Sequence, residues 1–266
     1  MFFLRGLANR LRRAARLPYY QILQVVAGAL PSNCGVILLY HSVTKSSNSL
    51  SVTPANFEAQ MNFLSAHFEV LPLAEMTYRC SQGKFSTRPL AAITFDDGFQ
   101  DNLTEAAPIL ARFKLPVTFF IASGLVGGYS PAEWGEPLPM LSWTEIEELK
   151  RQGHSIGGHT VTHPLLPQLS LSRARAEILD NKIDLENRLG CSVEFFAYPV
   201  GRYNPLTVEL VQSSAFRGAV TTLRRPVNVQ SNVFELPRIG IGKYIQFPHY
   251  RAFLSRAAYC DWPFWL

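Results

Sequence analysis

Apolar residues in this chain gather in short unbroken runs, separated by stretches whose apolar positions recur at helical spacing. Val36-Ile37-Leu38-Leu39-Tyr40, Leu90 to Phe95 and Val117-Thr118-Phe119-Phe120-Ile121 are such runs. Their length and continuity predict strands buried on both faces. Shorter strands are expected near Glu69–Leu71, His154–Gly157, Glu194–Ala197, Arg217–Thr221 and Glu235–Gly240. Between them, Thr53-Pro54 opens a helix running to about His67, with Thr53 as N-cap and Phe57, Met61, Phe63 and Leu64 on its apolar stripe. Further helices are predicted from Leu73, over about Asp101–Phe113, from Ser142 to about Gln152 with Glu145 completing a capping box, from Ser170 or Ser172 to Leu189 with Gly190 as the stop, over Pro205–Gln212 and from Pro248. Residues 123–140 read as a long Gly- and Pro-containing loop.

Strand and helix alternate throughout, which implies an α/β fold with a mostly parallel sheet. Chemistry in such folds sits at the carboxyl ends of the strands. His41, Asp96, Asp97, His159 and Pro199 all fall at predicted strand ends.

Length and composition refine this picture. The 266 residues, 47% hydrophobic, suit a single domain with a substantial core. Four scattered cysteines, Cys34, Cys80, Cys191 and Cys260, form no C-x-x-C pair and read as reduced thiols, favouring a cytoplasmic setting over a periplasmic one. The net charge of +5 is uneven, because five arginines (Arg5, Arg10, Arg12, Arg13, Arg16) lie in the first sixteen residues, which contain no acid. The remainder balances, which argues against a nucleic-acid groove. Residues 2–17 place their arginines opposite Phe3, Leu4, Leu7 and Leu11, as a basic amphipathic helix suited to an anionic membrane surface or packed on the body with solvated arginines. Tyr19–Leu30 is too short and too polar to span a bilayer. The expected organisation is therefore a basic amphipathic arm over 1–33 and one domain over 34–266, in a protein peripheral to the inner membrane on its cytoplasmic side.

The candidate chemistry begins at Ile93-Thr94-Phe95-Asp96-Asp97-Gly98. Two adjacent carboxylates repel, and a metal bound by one, with the other left as a base, relieves this. An Asp-Asp-Gly turn capping the next helix is the alternative. His159 and His163, four apart on one turn after Gly157 and Gly158, can face the same ion. Added to one Asp they make a three-ligand set with an open fourth position, the pattern of catalytic zinc.

Thr94-Phe95-Asp96-Asp97-Gly98 together with His159-Thr160-Val161-Thr162-His163 resembles the polysaccharide deacetylases of the NodB-homology type, carbohydrate esterase family 4, from about Val36 to Ile241. The resemblance implies a distorted (β/α) barrel and metal-dependent removal of acetyl groups from an N-acetylated glycan. It assigns Asp97, His159 and His163 to the metal, a divalent ion such as Zn, with Co, Ni and Fe as alternatives. Asp96 becomes the general base toward the attacking water, and the backbone N–H of Val200, after Pro199, an oxyanion donor. Phe196-Ala197-Tyr198-Pro199-Val200-Gly201 departs from the usual third motif, with Ala197 where an Arg is customary, and is similar to the poly-N-acetylglucosamine branch. No C-terminal Leu-x-His follows the last strand. Leu38-Leu39-Tyr40-His41 instead resembles that motif moved by circular permutation, making His41 the general acid. Leu236-Pro237-Arg238-Ile239 resembles the segment whose Arg orients the base, so Arg238 takes that role, with Arg202 as the weaker candidate. Trp143, Tyr129 and Trp134 are candidates for the sugar site or for plain packing, and Asp101-Asn102 reads as a helix cap. Competing functions are a deformylase or deacetylase of a lipid-linked aminosugar, a non-catalytic carbohydrate-binding module, and a membrane or scaffold protein acting through the arm. The intact Asp96, Asp97, His159 and His163 speak against the binding module, which needs no base beside a metal.

Overall fold

The computed structural model describes residues 33–45, 49–134 and 136–255. The expected amphipathic helix over 2–17, the apolar Tyr19–Leu30 and Cys260 lie outside the described residues.

The strands are β1 (Gly35–Tyr40), β2 (Ser42–Val43), β3 (Ser51–Val52), β4 (Glu69–Val70), β5 (Leu90–Phe95), β6 (Val117–Ile121), β7 (Ser155–Gly158), β8 (Phe195–Ala197), β9 (Gly218–Val220) and β10 (Ile239–Gly240). The α-helices are α1 (Pro54–His67), α2 (Leu73–Ser81), α3 (Ala107–Phe113), α4 (Trp143–Arg151), α5 (Leu171–Leu189), α6 (Pro205–Ser213) and α7 (Phe247–Phe253). The main sheet runs β10-β1-β5-β6-β7-β8-β9, with every neighbouring pair parallel. Its two ends are joined by the chain before β10. Leu236 pairs in parallel with Val220 of β9, with Leu236 N donating to Ala219 O at 2.9 Å and Leu236 O accepting from Thr221 N at 2.8 Å. Three residues later Ile239 pairs with Leu38 of β1. Residues 236–240 thus cross from the last strand to the first and close a distorted (β/α) barrel. This crossing is why only Ile239–Gly240 is strand where Glu235–Gly240 is expected.

Strand alternation divides the side chains into two sets. Ile37, Ala92, Phe120, Ala197, Val220 and Leu236 cluster with one another inside the barrel. Val36, Leu38, Ala91, Ile93, Phe119, Ile121 and Phe196 join the larger outer core under the helices. On β5 the inward row that contains Ala92 continues through Thr94 to Asp96. The alternation therefore directs the first carboxylate into the mouth of the barrel.

The helix signals act as expected. Thr53 accepts from Asn56 N, Ser142 and Glu145 form a reciprocal capping box, Ser170 caps α5, and Gly190 ends it with φ 60°. The predicted helix over Asp101–Phe113 is split. A π-helical stretch, Asn102–Ala106, precedes α3, because Pro108 lacks the N–H that would carry the regular ladder back through Thr104. The small β2–β3 pair was not expected from the apolar pattern; two-residue strands carry no periodicity to read.

Candidate active site

At the end of β5, Asp96 is 3% exposed and Arg238 is fully buried. The guanidinium donates to both carboxylate oxygens, Nη1 to Oδ1 at 2.7 Å and Nη2 to Oδ2 at 2.6 Å. Its Nε donates to Thr221 O at 2.9 Å, and Nη1 also reaches Thr94 Oγ1 at 3.1 Å. Burial alone would push the Asp96 carboxyl up, but the charge and hydrogen bonds of Arg238 outweigh it and hold the pKa below the ordinary value. A carboxylate with one bond to each oxygen keeps spare lone pairs, so Asp96 stays ionised and able to accept a proton. Arg202, the weaker candidate for this pairing, is exposed.

Asp97, His159 and His163 converge beside it, their ligand atoms all within 4.8 Å of one another. His159 Nδ1 lies 2.7 Å from Ala197 O. A carbonyl can only accept, so Nδ1 carries the proton and the Nε2 lone pair faces Asp97 Oδ1, 3.2 Å away. His163 Nε2 is 3.5 Å from the same oxygen. Asp97 Oδ1 is buried without a hydrogen-bond partner. Acceptors facing one another in a buried site call for a cation between them. A tetrahedral ion with bonds of about 2.0–2.1 Å separates its ligand atoms by about 3.3 Å, which the two measured separations bracket. The residues therefore fit a divalent metal. Electrostatics agree. Burial opposes the ionised form of Asp97, yet the His159 contact and the nearby histidines hold it at about 2. Burial, reinforced by the charge of His159, pushes His163 down to about 4, so its lone pair is free at neutral pH. For His159 burial works downward, but the Asp96 and Asp97 carboxylates and the Ala197 carbonyl outweigh it and raise the pKa.

The backbone here is held in unusual conformations. Six non-glycine residues have positive φ among the described residues, and four belong to this region: Asp97 (74°), Thr160 (65°), His163 (59°) and Val200 (57°). Such conformations persist only where surroundings over-determine them. The surroundings of the His159–His163 turn come largely from α5. Glu177 Oε2 accepts from Val161 N (2.9 Å) and Thr162 N (2.8 Å), and Oε1 accepts from Thr162 Oγ1 (2.7 Å). Asn181 Oδ1 accepts from His159 N at 3.0 Å while its Nδ2 donates to Ile121 O at 3.0 Å. The approach is close enough that a Cβ at Gly158 would meet Asn181 Oδ1 at 2.7 Å. Neither residue was expected from motif spacing. Asn181 had a signal: it is fully buried on the helix face of Ala174, Ile178 and Leu185, where an apolar side chain is the rule.

His41 follows β1 directly. Tyr40 pairs with Phe95, and Asp96 N donates to Tyr40 O at 2.9 Å, so His41 and Asp96 leave adjacent strands side by side. The His41 carbonyl accepts from Asn102 Nδ2 at 2.8 Å. Asp101 takes Ser42 Oγ (2.5 Å) and Val43 N (3.1 Å). The helix-cap reading of Asp101-Asn102 is thus corrected: Asp101 makes no side-chain cap bond, and the pair latches the His41–Val43 segment to the turn after Asp97. Asx residues before a helix usually cap it, but here both side chains are taken up by the segment after β1.

Val200 is the middle residue of the turn Pro199–Gly201 after β8, the strand whose Ala197 O fixes His159. Val200 is 59% exposed and holds φ 57° in this turn. Trp134, from the loop after β6, packs edge-on against His163 with ring centroids 4.6 Å apart. Tyr129 of that loop is exposed. Trp143 packs on the core with Arg188 over its ring, so it is a packing residue. His67 bonds to Phe63 O on its own helix.

Residues 84–219 match the sequence profile of the family described as polysaccharide deacetylase. Among curated relatives, the Staphylococcus aureus poly-beta-1,6-N-acetyl-D-glucosamine N-deacetylase is 28% identical over 212 residues, 76% of this chain and 71% of its own. The Bacillus subtilis protein YxkH is 29% identical over 206 residues, 77% and 70% of the two chains. Among solved structures, the Streptococcus pyogenes deacetylase PplD in complex with acetate superposes with a TM-score of 0.74 at 25% identity, over 86% of this chain and 100% of its own. IcaB from Ammonifex degensii shares the fold, with a TM-score of 0.74 at 24% identity over 85% and 99%.

Proposed function

This chain belongs to the polysaccharide deacetylase family, and from that premise we propose that it removes N-acetyl groups from a polymer of N-acetylglucosamine in a metal-dependent hydrolysis. The observation that carries the reading is the pairing of an ionised Asp96, clamped by Arg238, with the Asp97–His159–His163 cluster beside it. Relatives named for deacetylation of poly-beta-1,6-N-acetyl-D-glucosamine support the substrate class. The acetate bound in the similar PplD structure supports the product.

Asp97, His159 and His163 would hold the divalent ion, with Zn the first choice for a His₂Asp set and Co, Ni or Fe as substitutes. Such an ion supplies a water of lowered pKa and polarises the acetamide carbonyl. Asp96 takes the proton of the attacking water, and Arg238 keeps it ionised and aimed. The Val200 N–H donates to the carbonyl oxygen as that atom gains charge. His41 delivers a proton to the sugar nitrogen as the C–N bond breaks, so that the amine leaves neutral. Free amine and acetate release from poly-β-1,6-N-acetylglucosamine oligomers test this. Release should vanish on chelation and return with Zn or Co. Release equal to that of the Asp96→Asn variant would sink the reading.

We further propose that the arm over residues 1–17 rests on an anionic membrane on the cytoplasmic side. Five arginines contribute about 1 kcal/mol each near such a surface. Among the described residues no helix is long and apolar enough to cross a membrane. Removing residues 1–17 should abolish salt-sensitive binding to phosphatidylserine vesicles and spare activity on a soluble oligomer. Unchanged vesicle binding would overturn this.

A further inference from the structure

Resting on the reading of Asp97, His159 and His163 as metal ligands, we propose that Glu177 is a positioning residue for that metal. It sets the geometry of the two histidines without touching the ion.

The turn from His159 to His163 must present two imidazoles to one point while Thr160 and His163 both sit at positive φ. Left to itself, a five-residue segment with two such residues would relax. Its main-chain groups are taken up from two sides. Ser123 N and Gly124 N, from the loop after β6, donate to Thr160 O and Val161 O at 3.2 and 2.8 Å. Glu177 takes the opposite set, the N–H groups of Val161 and Thr162 and the hydroxyl of Thr162. At the two ends of the turn, His159 N donates to Asn181 Oδ1 and Ile121 O, and the Thr160 hydroxyl donates to His159 O and accepts from His163 N. Glu177 is thus the side chain that fixes the middle of the turn, between the two histidines. A carboxylate suits this task. It offers two oxygens with about four lone-pair sites, and bonds to an ionised acceptor are shorter and about twice as strong as neutral ones.

Glu177 also stands on a rigid support. It occupies the first of three positions, Glu177, Asn181 and Asp184, spaced i, i+4, i+7 on one face of the 19-residue α5. Asn181 joins His159 N to Ile121 O, and Asp184 accepts from Ser123 Oγ at 3.3 Å. One helix face therefore holds both the histidine turn and the start of the loop that carries Trp134 to His163. Partners that orient metal ligands typically matter for affinity by about 10- to 100-fold.

The test compares full-length wild type with Glu177→Gln and Glu177→Ala, purified metal-free. Zn(II) affinity is measured by competition with a chromophoric chelator, the Co(II) visible spectrum is recorded, and thermal unfolding is followed with and without Zn(II). Glu177→Ala should weaken Zn(II) binding about 10- to 100-fold and alter the intensity of the Co(II) bands. Glu177→Gln, which keeps one oxygen for the two N–H groups, should fall between. The metal-free midpoint should stay near that of wild type, while the rise in midpoint on adding Zn(II) shrinks. Wild-type Zn(II) affinity and Co(II) spectrum in Glu177→Ala would overturn the proposal. A comparable drop in the metal-free midpoint of both variants would also overturn it, since Glu177 would then serve the fold at large. Failure of wild type itself to bind Zn(II) would instead remove the functional reading on which this one rests.

Discussion

Arg238 and Asp96, 142 residues apart in the chain, meet at the centre of the site as a buried two-bond ion pair, with separations of 2.7 and 2.6 Å. The pair exists because residues 236–240 cross from β9 to β1, carrying Arg238 over the barrel mouth where the inward row of β5 ends. Removing one partner of a buried pair leaves an uncompensated charge and costs about 3–5 kcal/mol. Arg238→Met should lower stability toward urea by that amount and abolish acetate release, since an unpaired Asp96 in a buried site is driven toward its protonated form. Arg238→Lys keeps a charge but not the planar fork, and should fall between. A wild-type urea midpoint in Arg238→Met would show that the pair does not hold the base.

Asp96→Asn should keep metal and lose most turnover. The amide can still accept a bond from Arg238, but it cannot take a proton from water. General-base loss costs about 10²- to 10⁴-fold in rate. Metal content by emission spectroscopy and kcat on an N-acetylglucosamine oligomer check the two halves separately; near-wild-type kcat would show that another group is the base.

His159→Ala and Asp97→Ala should each lose metal and activity together, because two remaining ligands do not hold a labile divalent ion against dialysis. The motive is the orphaned Asp97 Oδ1 facing both imidazoles. Full metal occupancy in either variant would refute the ligand set.

His41→Ala should retain metal and substrate binding but lower kcat. The loss should shrink on an activated aryl acetate, whose leaving group departs without a proton. An equal loss on amide and ester would contradict the acid role.

His154 gives a pH prediction away from the site. Its Nδ1 is buried without a hydrogen-bond partner, its ring meets the edge of Phe119 at 5.4 Å, and burial lowers its pKa from 6.5. Lys114 and Gln152 line the cavity on one side of it, and Lys150 and Glu194 the smaller cavity on the other. Between 6.5 and the lower folded value the unfolded chain binds the proton and the folded one does not, so stability falls as pH drops through this window. His154→Gln should unfold with a smaller difference in midpoint between pH 7.5 and pH 5 than wild type. An unchanged difference would mean that other groups carry it.

Much of this protein was legible in the residue pattern. The unbroken apolar runs, the capping residues and the placing of acids and histidines after strands are local signals, set by alternation along a strand and by unpaired groups at helix ends. They were enough to expect a mostly parallel α/β sheet with Asp96, Asp97 and His159 at strand ends and His163 one turn beyond. Resemblance added the barrel and the roles of His41, Val200 and Arg238. Tertiary structure decided which groups meet. That Asn102 holds the carbonyl of His41 across 61 residues, that Glu177 grips the histidine turn, and that Arg238 spans the closing crossing are consequences of barrel curvature and helix seating. A lone polar residue in a sequence has the same appearance whether it faces solvent, caps a helix or clamps a loop. Only the three-dimensional path of the backbone supplies, or withholds, the partner that gives it a role.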